Sequence, residues 1–335
     1  MTTIANEVAL NVGLNARQRL SETHPDTLAA MAKLASTLHD QGDLTGARAL
    51  QESVLEGRRL ILGEEHFDTV AAMSNLALIL CKQGDYARAL KLQESVLETN
   101  RRIRGAEHPL TLTAMNNLSG TLDAQGDLAG ARALQESVLE ARRRILGAEH
   151  PDTLSAMNNL ASTLRDLGDL SAAYVMEKSM LETLRRVQGE DHPQTLVGMN
   201  NFVLTLYALG KRRKARTLQE RAVEASYRML GADHPHTLTS MSNLAAICRA
   251  MDDYEASQTL EESILDIKLR LLGEEDDEVL SDMDQLAETL LQLDMTADAS
   301  ALRKKAKAIR RRKEKHQQSK VLTSKDRVRM GLALH

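Results

Sequence analysis

Aromatic residues are nearly missing from this sequence of 335 residues: they make up 2%, with 2 Phe, 5 Tyr and no Trp. Proline (5 residues) and glycine (18 residues) are also scarce. Strands favour aromatic and β-branched side chains, and the tight turns between short strands use glycine and proline. A β-sandwich or β-barrel is therefore excluded. The remaining composition, 42% hydrophobic and 27% charged, favours helices that share a large core.

The sequence also lacks long apolar runs. No stretch reaches the roughly 18 apolar residues that a membrane-spanning helix needs, and the first residues do not combine a basic segment with an apolar one as a secretory leader does. We therefore expect a cytoplasmic protein without a transmembrane segment. The two cysteines, Cys81 and Cys248, are too few for a disulfide framework and have no nearby Cys or His at metal-ligand spacing.

What the sequence does contain is one unit that repeats every 42 residues. A His-Pro-Asp-Thr-Leu phrase and its variants recur without insertion or deletion in six copies, which begin at His24, His66, His108, His150, His192 and His234, and an eroded seventh copy begins at Asp276. One methionine keeps the same spacing in all seven copies, at Met31, Met73, Met115, Met157, Met199, Met241 and Met283. Self-similarity at a fixed period of this length predicts an array of small structural units.

Each unit predicts two helices, which we name helix A and helix B. In the fourth copy, Pro151 suits the first position of helix A, and Leu154 and Met157 begin an apolar stripe at helical spacing. A Gly-Asp pair at 168–169 predicts the turn, and a second stripe that starts at Leu170 predicts helix B. One helical pair cannot bury its stripe alone, so the pairs must stack. The predicted fold class is an all-α solenoid of tandem helix-turn-helix repeats.

A small residue after Leu in helix A, Gly-Asp at the turn and Ala early in helix B make these units resemble tetratricopeptide repeats. Their 42-residue length and phrases such as Met-Asn-Asn-Leu-Ala are similar to the longer repeats of kinesin light chains. The resemblance covers about residues 24–305. It divides the chain into an N-terminal capping helix (1–23), a solenoid of six clear repeats and one degenerate repeat (24–302), and a basic C-terminal capping helix with a mobile tail (303–335).

The resemblance implies a right-handed superhelix whose concave groove is lined by A helices and holds a peptide or helix of a partner. Carboxamides both donate and accept hydrogen bonds, so a row of asparagines facing this groove could pair with a peptide main chain. The candidates are Asn75, Asn117, Asn159, Asn201 and Asn243 at one helix A position, and Asn116, Asn158 and Asn200 one residue earlier. The competing interpretation is that these residues bond neighbouring helices. A more variable A position adds Arg165, Tyr207 and Arg249 as candidates for specificity.

Catalytic and cofactor motifs are missing. The sequence has no Gly-rich phosphate loop, no His-Glu-x-x-His pair and no Gly-x-Ser-x-Gly elbow. A whole helical pair separates successive copies of the recurring histidine, so no two of them could share a metal ion. The turn before helix A is their expected place. We expect a protein that is not an enzyme and has no catalytic residues, no cofactor and no metal site.

Charge is divided unevenly along the chain. Residues 303–335 hold 13 of the 43 Lys and Arg residues and 2 of the 47 acidic residues, a net charge of +11 against −15 for residues 1–302. Ala299, Leu302, Ala306 and Ile309 should face inward from a continuing B helix. The basic tail contains Arg303, Lys304, Lys305, Arg310, Arg311 and Arg312. It predicts a polar cap, with binding to nucleic acid, an anionic membrane or acidic repeats as alternatives.

These features favour a non-catalytic scaffold or adaptor that binds a protein or peptide ligand in the groove. The alternative is a nucleic-acid-associated factor, or a regulatory or sensor subunit, that acts through the basic tail. Nucleic acid is the less favoured partner because no aromatic residue interleaves the basic run, and base stacking uses aromatic side chains. The identity of the partner and the oligomeric state stay open.

Overall fold

A computed structural model describes residues 23–332 of the protein, with side chains up to residue 315. The capping helix predicted for residues 1–23 lies outside the described residues, apart from Thr23. The described part of the chain has fourteen helices and no strand. They are α1 (Pro25–Asp40), α2 (Leu44–Leu62), α3 (Phe67–Lys82), α4 (Tyr86–Arg104), α5 (Pro109–Gln125), α6 (Leu128–Leu146), α7 (Pro151–Asp166), α8 (Leu170–Gln188), α9 (Pro193–Ala208), α10 (Arg212–Leu230), α11 (Pro235–Arg249), α12 (Tyr254–Leu272), α13 (Asp277–Gln292) and α14 (Thr296–Leu332).

The chain forms two compact units, Met1–Asp169 and Leu170–His335. Helices α1–α7 belong to the first unit and α8–α14 to the second, and within each unit consecutive helices pack against each other. Odd-numbered helices are A helices and even-numbered helices are B helices. The predicted all-α solenoid of helix-turn-helix repeats is confirmed. The division into units falls within the stretch 24–302 that the sequence predicts as one solenoid.

The recurring histidines cap the A helices. In each of the six clear repeats the histidine is in an extended conformation, and its Nδ1 accepts a hydrogen bond at 3.1 to 3.3 Å from the backbone N–H two residues later. In the degenerate repeat, Asp276 replaces the histidine and accepts from the Glu278 N–H at 2.8 Å. Because Nδ1 accepts, the ring proton resides on Nε2. The predicted place of these histidines at the turn is confirmed.

An aspartate caps most of the B helices. At α2 and α6, Asp43 and Asp127 accept from the N–H three residues later at 2.9 Å. At α4 and α12, Asp85 and Asp253 accept from the equivalent N–H at 3.4 and 3.3 Å. Helix α10 differs, because Lys211 occupies the capping position and makes no side-chain capping bond. A side-chain acceptor at this position typically stabilises a helix by about 1 kcal/mol. Helix α10 therefore begins without a stabilisation that α2, α4, α6 and α12 have.

Glycine follows the helices at two positions that recur every 42 residues, which we name the glycine registers. One follows helix A, at Gly42, Gly84, Gly126, Gly168 and Gly210, and the other follows helix B, at Gly63, Gly105, Gly147, Gly189, Gly231 and Gly273. All eleven glycines of these registers have a positive φ, between 69° and 94°. Only glycine adopts such values at no steric cost. The later repeats replace two of these positions by Asp252 and Asp294, both with φ 60°.

The core consists of the recurring apolar positions. All seven methionines of the repeat register are buried, at most 6% exposed, and the alanines early in helix B are fully buried. The threonine of the His-Pro-x-Thr-Leu phrase is also fully buried, and in three repeats its hydroxyl donates at 2.8 Å to the glycine carbonyl that ends the preceding B helix. In these three repeats the threonine therefore fixes the A helix to the B helix before it, a contact that spacing did not indicate.

Helix α14 continues the last repeat as a B helix. Ala299, Ala306 and Ile309 are buried against α13, and Leu302 packs against the same cluster, so all four predicted inward positions face the core. The helix extends to Leu332. The mobility predicted for the end of the tail stays a prediction.

We expect His108→Ala to lower the free energy of unfolding by about 1 kcal/mol, because the substitution removes the acceptor for the Leu110 N–H. His108→Asp should retain wild-type stability, since Asp276 caps the same position in the seventh repeat. Urea unfolding followed by circular dichroism measures both variants. Equal destabilisation by Ala and Asp would show that the histidine is not acting as a cap.

Candidate functional site

The asparagines of the A helices do not all behave alike. In the first unit, Asn159 on α7 donates from Nδ2 to Oδ1 of Asn116 on α5, at 2.8 Å. Both side chains are half-buried. This bond joins the A helices of two successive repeats and uses one side of each carboxamide. At this pair the asparagines set the repeat geometry, and a role in ligand contact stays a prediction.

In the second unit, Asn200 is also held by protein groups. Its Nδ2 lies 3.0 Å from Oγ of Ser240, and its Oδ1 accepts from Nε2 of Gln219 at 2.7 Å. Asn200 belongs to α9, Gln219 to α10 and Ser240 to α11. Its carboxamide therefore links three helices and has little remaining capacity for a ligand.

Three other asparagines have different surroundings. Asn75 is exposed and Asn117 and Asn243 are half-buried, and the side chains of all three form no hydrogen bond with any residue that the structure describes. Asn158 and Asn201 are half-buried. In the first unit, Asn75 and Asn117 occupy the same position on α3 and α5. Their carboxamides can take both a donor and an acceptor from a ligand main chain.

The surface beside these two asparagines has an open, partly apolar character. Leu78, three residues after Asn75, is 43% exposed. Gly120, three residues after Asn117, is exposed inside a helix, and a Cβ added there would meet no atom within 4 Å. Glycine inside a helix costs roughly 0.5 to 1 kcal/mol relative to alanine. The helix surface around Asn75, Leu78, Asn117 and Gly120, which we name the α3–α5 face, therefore has room for a ligand backbone.

The three candidates at the variable A position, Arg165, Tyr207 and Arg249, have different environments. Tyr207 is 41% exposed. Arg165 is half-buried and donates from Nη2 to Oγ of Ser162 at 3.0 Å. Arg249 forms an ion pair with Glu261, whose side chain is only 6% exposed. Beside this pair lies a cavity of about 170 Å³ on α11, α12 and α13. The guanidinium of Arg249 is therefore committed to a buried carboxylate, and Tyr207 is the residue of this set that is most accessible to a ligand.

The B helices also contain a row of buried polar residues that was not predicted from the sequence. One position is glutamine in four of the six clear repeats and glutamate in the other two, and it is at most 6% exposed; its members are Gln51, Gln93, Gln135, Glu177, Gln219 and Glu261. Gln51 donates to the Ala72 carbonyl at 3.1 Å, and Gln219 to the Ser240 carbonyl at 2.8 Å. Both acceptors lie on the A helix of the next repeat. The signal was present as a polar residue in the same register of every B helix.

Glutamate replaces glutamine in this row only at Glu177 and Glu261. The residue 12 positions earlier is arginine in the same two repeats and in no other, as Arg165 and Arg249. The exchange follows from electrostatics, since a buried carboxylate requires a compensating charge whereas a buried carboxamide does not. The ion pair between Arg249 and Glu261 shows this compensation in the second unit.

The basic tail is partly neutralised by the acidic residues beside it. Four of its cations pair with α13 or the turn before it: Arg303 with Glu288 (2.7 Å), Arg310 with Asp284 (2.5 Å), Arg312 with Glu274 and Glu275 (2.5 and 3.0 Å) and Lys313 with Asp277 (2.6 Å). The hydrogen bond from Arg312 lowers the pKa of Glu274. Lys304, Lys305 and Arg311 are exposed and form no ion pair with the described side chains.

Among the described residues, the metal-ligating side chains and the Cys248 thiol lie in environments that do not favour metal binding or thiolate formation. Among residues 23–332 no three His, Cys, Asp or Glu side chains are arranged to hold a metal ion. Cys248 is 1% exposed, and burial raises the pKa of its thiol, which opposes the reactive thiolate. Within the same range, no helix combines the length and apolarity that crossing a membrane requires.

Two tetratricopeptide repeat family models match the chain, one at residues 68–143, 123–174 and 236–312 and the other at residues 27–68 and 195–236. The first alone covers more than half of the sequence, so the chain belongs to the tetratricopeptide repeat family. The predicted tetratricopeptide repeats are therefore confirmed. Such repeats typically form non-catalytic scaffolds for protein partners. No curated protein sequence matches the chain.

Solved structures share the fold. A putative kinesin light chain with nearly identical repeats from Podosopora anserina is 24% identical, with a TM-score of 0.53 over 61% of this chain and 96% of that one. BtubC (BKLC) from P. vanneervenii is 21% identical, with a TM-score of 0.59 over 69% and 92% of the two chains. The quorum sensor NprR from B. thuringiensis is 13% identical, with a TM-score of 0.54 over 92% and 94%.

We expect Arg249→Tyr to destabilise the second unit by roughly 2 kcal/mol, because it leaves the Glu261 carboxylate buried without its partner. The double variant Arg249→Tyr with Glu261→Gln should recover most of this loss, since it copies the Tyr207 and Gln219 combination of the preceding repeat. A double-mutant cycle of urea unfolding measures the coupling. Additive effects of the two substitutions would contradict the ion-pair interpretation.

Proposed function

We propose that this protein is a non-catalytic scaffold that binds an extended peptide segment of a partner protein, with the α3–α5 face as one contact surface. The observation that carries the proposal is the contrast between two kinds of asparagine on neighbouring A helices. Asn116 and Asn159 bond each other, whereas Asn75 and Asn117 form no side-chain hydrogen bond with the described residues. Peptide main chain offers the alternating donors and acceptors that free carboxamides match.

The surroundings of these carboxamides support the same function. The open surface at Gly120 lets a backbone approach α5, and the exposed Leu78 offers an apolar contact beside it. Main-chain hydrogen bonds give affinity without dependence on ligand sequence, so sequence preference must come from side-chain contacts. In the second unit, the exposed Tyr207 is suited to such a contact.

The charge distribution favours a scaffold over a nucleic-acid factor. Arg303, Arg310 and Arg312 of the basic tail form ion pairs with acidic groups in and next to α13, which reduces the positive field available to phosphates. Ala306 and Ile309 on the same helix are buried in the last core cluster. We propose that the main task of this helix is to close the last repeat.

We expect the double variant Asn75→Ala with Asn117→Ala to lose about tenfold or more in affinity for peptides that the wild-type protein selects from a random display library, because two carboxamide contacts to the main chain disappear. Fluorescence anisotropy with the selected peptides measures the loss. Thermal stability should stay near wild type, since neither side chain bonds a described residue.

The matched control is Asn116→Ala with Asn159→Ala, which removes the same two groups from the bonded pair. This control should alter stability more than peptide affinity. Equal affinity losses in both double variants, or selected peptides that bind both variants as well as the wild type, would overturn the proposed role of the α3–α5 face. Gly120→Leu adds a steric test, because its side chain enters open space and should weaken peptide binding without unfolding the helix.

A further inference from the structure

A cluster of opposite charges occurs in each unit at a place where one B helix meets the next. In the first unit, Arg48 lies 3.0 Å from Glu52, one turn later, and 3.8 Å from Asp85, the cap of the next B helix. In the second unit, Arg216 pairs in the same way with Glu220 at 2.8 Å and with Asp253 at 2.7 Å. The hydrogen bond from Arg216 lowers the pKa of Asp253. We name this arrangement the Arg-Glu-Asp cluster.

One set of equivalent positions breaks the pattern completely. Where the cluster has arginine, glutamate and the capping aspartate, the fourth and fifth repeats have Tyr174, Lys178 and Lys211. The Lys211 ammonium lies 4.0 Å from the centre of the Tyr174 ring, in a cation–π contact. Both acids of the cluster have become lysines, so a cluster with a net charge of −1 has become one with a net charge of +2 that carries an aromatic ring.

Further departures from the repeat pattern fall in the same place. Lys178 stands where the other five clear repeats have glutamate, and Arg221 where the other five clear repeats have serine. Phe202 stands where the other A helices have leucine, and its ring packs against Tyr174 with centroids 5.3 Å apart. Changes scattered along the sequence from Tyr174 to Arg221 therefore converge on one location, although most of the B-helix frame is copied from repeat to repeat.

These residues surround a cavity of about 420 Å³ between α8, α9 and α10, all within the second unit. Its floor, which we name the aromatic floor, consists of Tyr174, Leu181, Phe202, Leu206 and Leu218. Its cationic rim consists of Lys178, Arg185, Arg213, Lys214 and Arg221, against the single carboxylate of Glu182. The volume lies in the range of small-molecule sites, and an apolar cavity with a few convergent charges is their usual composition.

The rim has positive charge that the protein does not neutralise. Arg213 and Lys214 are exposed and form no hydrogen bond or ion pair through their side chains with the described residues. Glu190 serves two rim residues, at 3.2 Å from Arg185 and 2.5 Å from Arg221. Arg213 and Lys214 lie in the first turn of α10, which lacks its aspartate cap, although cations are unfavourable at a helix N-terminus. At the start of α10 the sequence therefore has a concentration of positive charge in place of a stabilising helix cap.

We propose that this cavity is a binding site for an amphiphilic organic anion, with the apolar body of the ligand on the aromatic floor and its carboxylate or phosphate at the cationic rim. Guanidinium and ammonium groups form charge-assisted hydrogen bonds with both kinds of anion, and the apolar floor excludes water from one side of them. The site is separate from the α3–α5 face and does not depend on peptide binding there.

Decanoate, decyl phosphate and decanol test the proposal in isothermal titrations of the full chain. All three have the same apolar body, and only the first two have an anionic group. We expect saturable binding of at least one of the two anions with Kd below about 1 mM, and binding of decanol at least about tenfold weaker. The preferred anion identifies the head group. Equal binding of decanol, or no saturable binding of either anion, would overturn the proposal.

Arg213→Gln with Lys214→Gln should weaken anion binding about tenfold, because these two cations have no other described partner. The matched control is Lys304→Gln with Arg311→Gln, which removes the same net charge from exposed positions outside the cavity. Unchanged affinity in the control, together with melting temperatures in both variants that are no lower than that of the wild type, supports the site. Equal losses in the two variants would mean that the anions respond only to overall charge.

Phe202→Leu, which restores the residue of the other repeats, should also weaken anion binding, because it removes an aromatic ring from the aromatic floor.

Discussion

Nearest-neighbour stacking is the constraint on which the rest of this structure depends. Each helical pair has one apolar stripe that it cannot bury alone, so its stability comes from the pairs before and after it. A few recurring contacts accompany this packing: a histidine or aspartate caps each A helix, a buried threonine hydroxyl bonds the carbonyl of a preceding glycine in three repeats, and a buried glutamine bonds a carbonyl of the next A helix in two. Because they recur in register, they make the repeats geometrically interchangeable.

Because the repeats are interchangeable, structural and functional residues can be told apart. A residue that is the same at its position in every repeat supports the common fold, whereas a residue that differs from the other repeats needs its own explanation. Arg249 departs together with Glu261, and the buried ion pair between them explains both. Tyr174, Lys178 and Lys211 depart together without restoring the lost helix cap: one tyrosine and two lysines replace an Arg-Glu-Asp cluster, and α10 stays uncapped. Uncompensated departures of this kind are where proteins exchange stability for binding.

Much of the fold followed from the sequence because the responsible signals lie within one helix or turn. The glycine registers, the methionine core and the inward face of Ala306 and Ile309 depend only on spacing. The candidate site was harder to predict from the sequence, because it depends on which side chains of different repeats contact each other. Asn159 and Asn116 are 43 residues apart, and only the packed structure shows that they bond each other while Asn117 forms no side-chain hydrogen bond with a described residue. The same reason concealed the glutamine row and the cavity at α10.

The most direct test of this account is the free energy of unfolding of Lys211→Asp compared with that of Lys211→Ala. Aspartate restores the cap that Asp43, Asp85, Asp127 and Asp253 supply to other B helices, whereas alanine removes the cation without adding an acceptor. The account predicts that Lys211→Asp is more stable than both the alanine variant and the wild type, by about 1 kcal/mol. An aspartate variant no more stable than the alanine variant would contradict the claim that this repeat departs from its frame at a cost in stability.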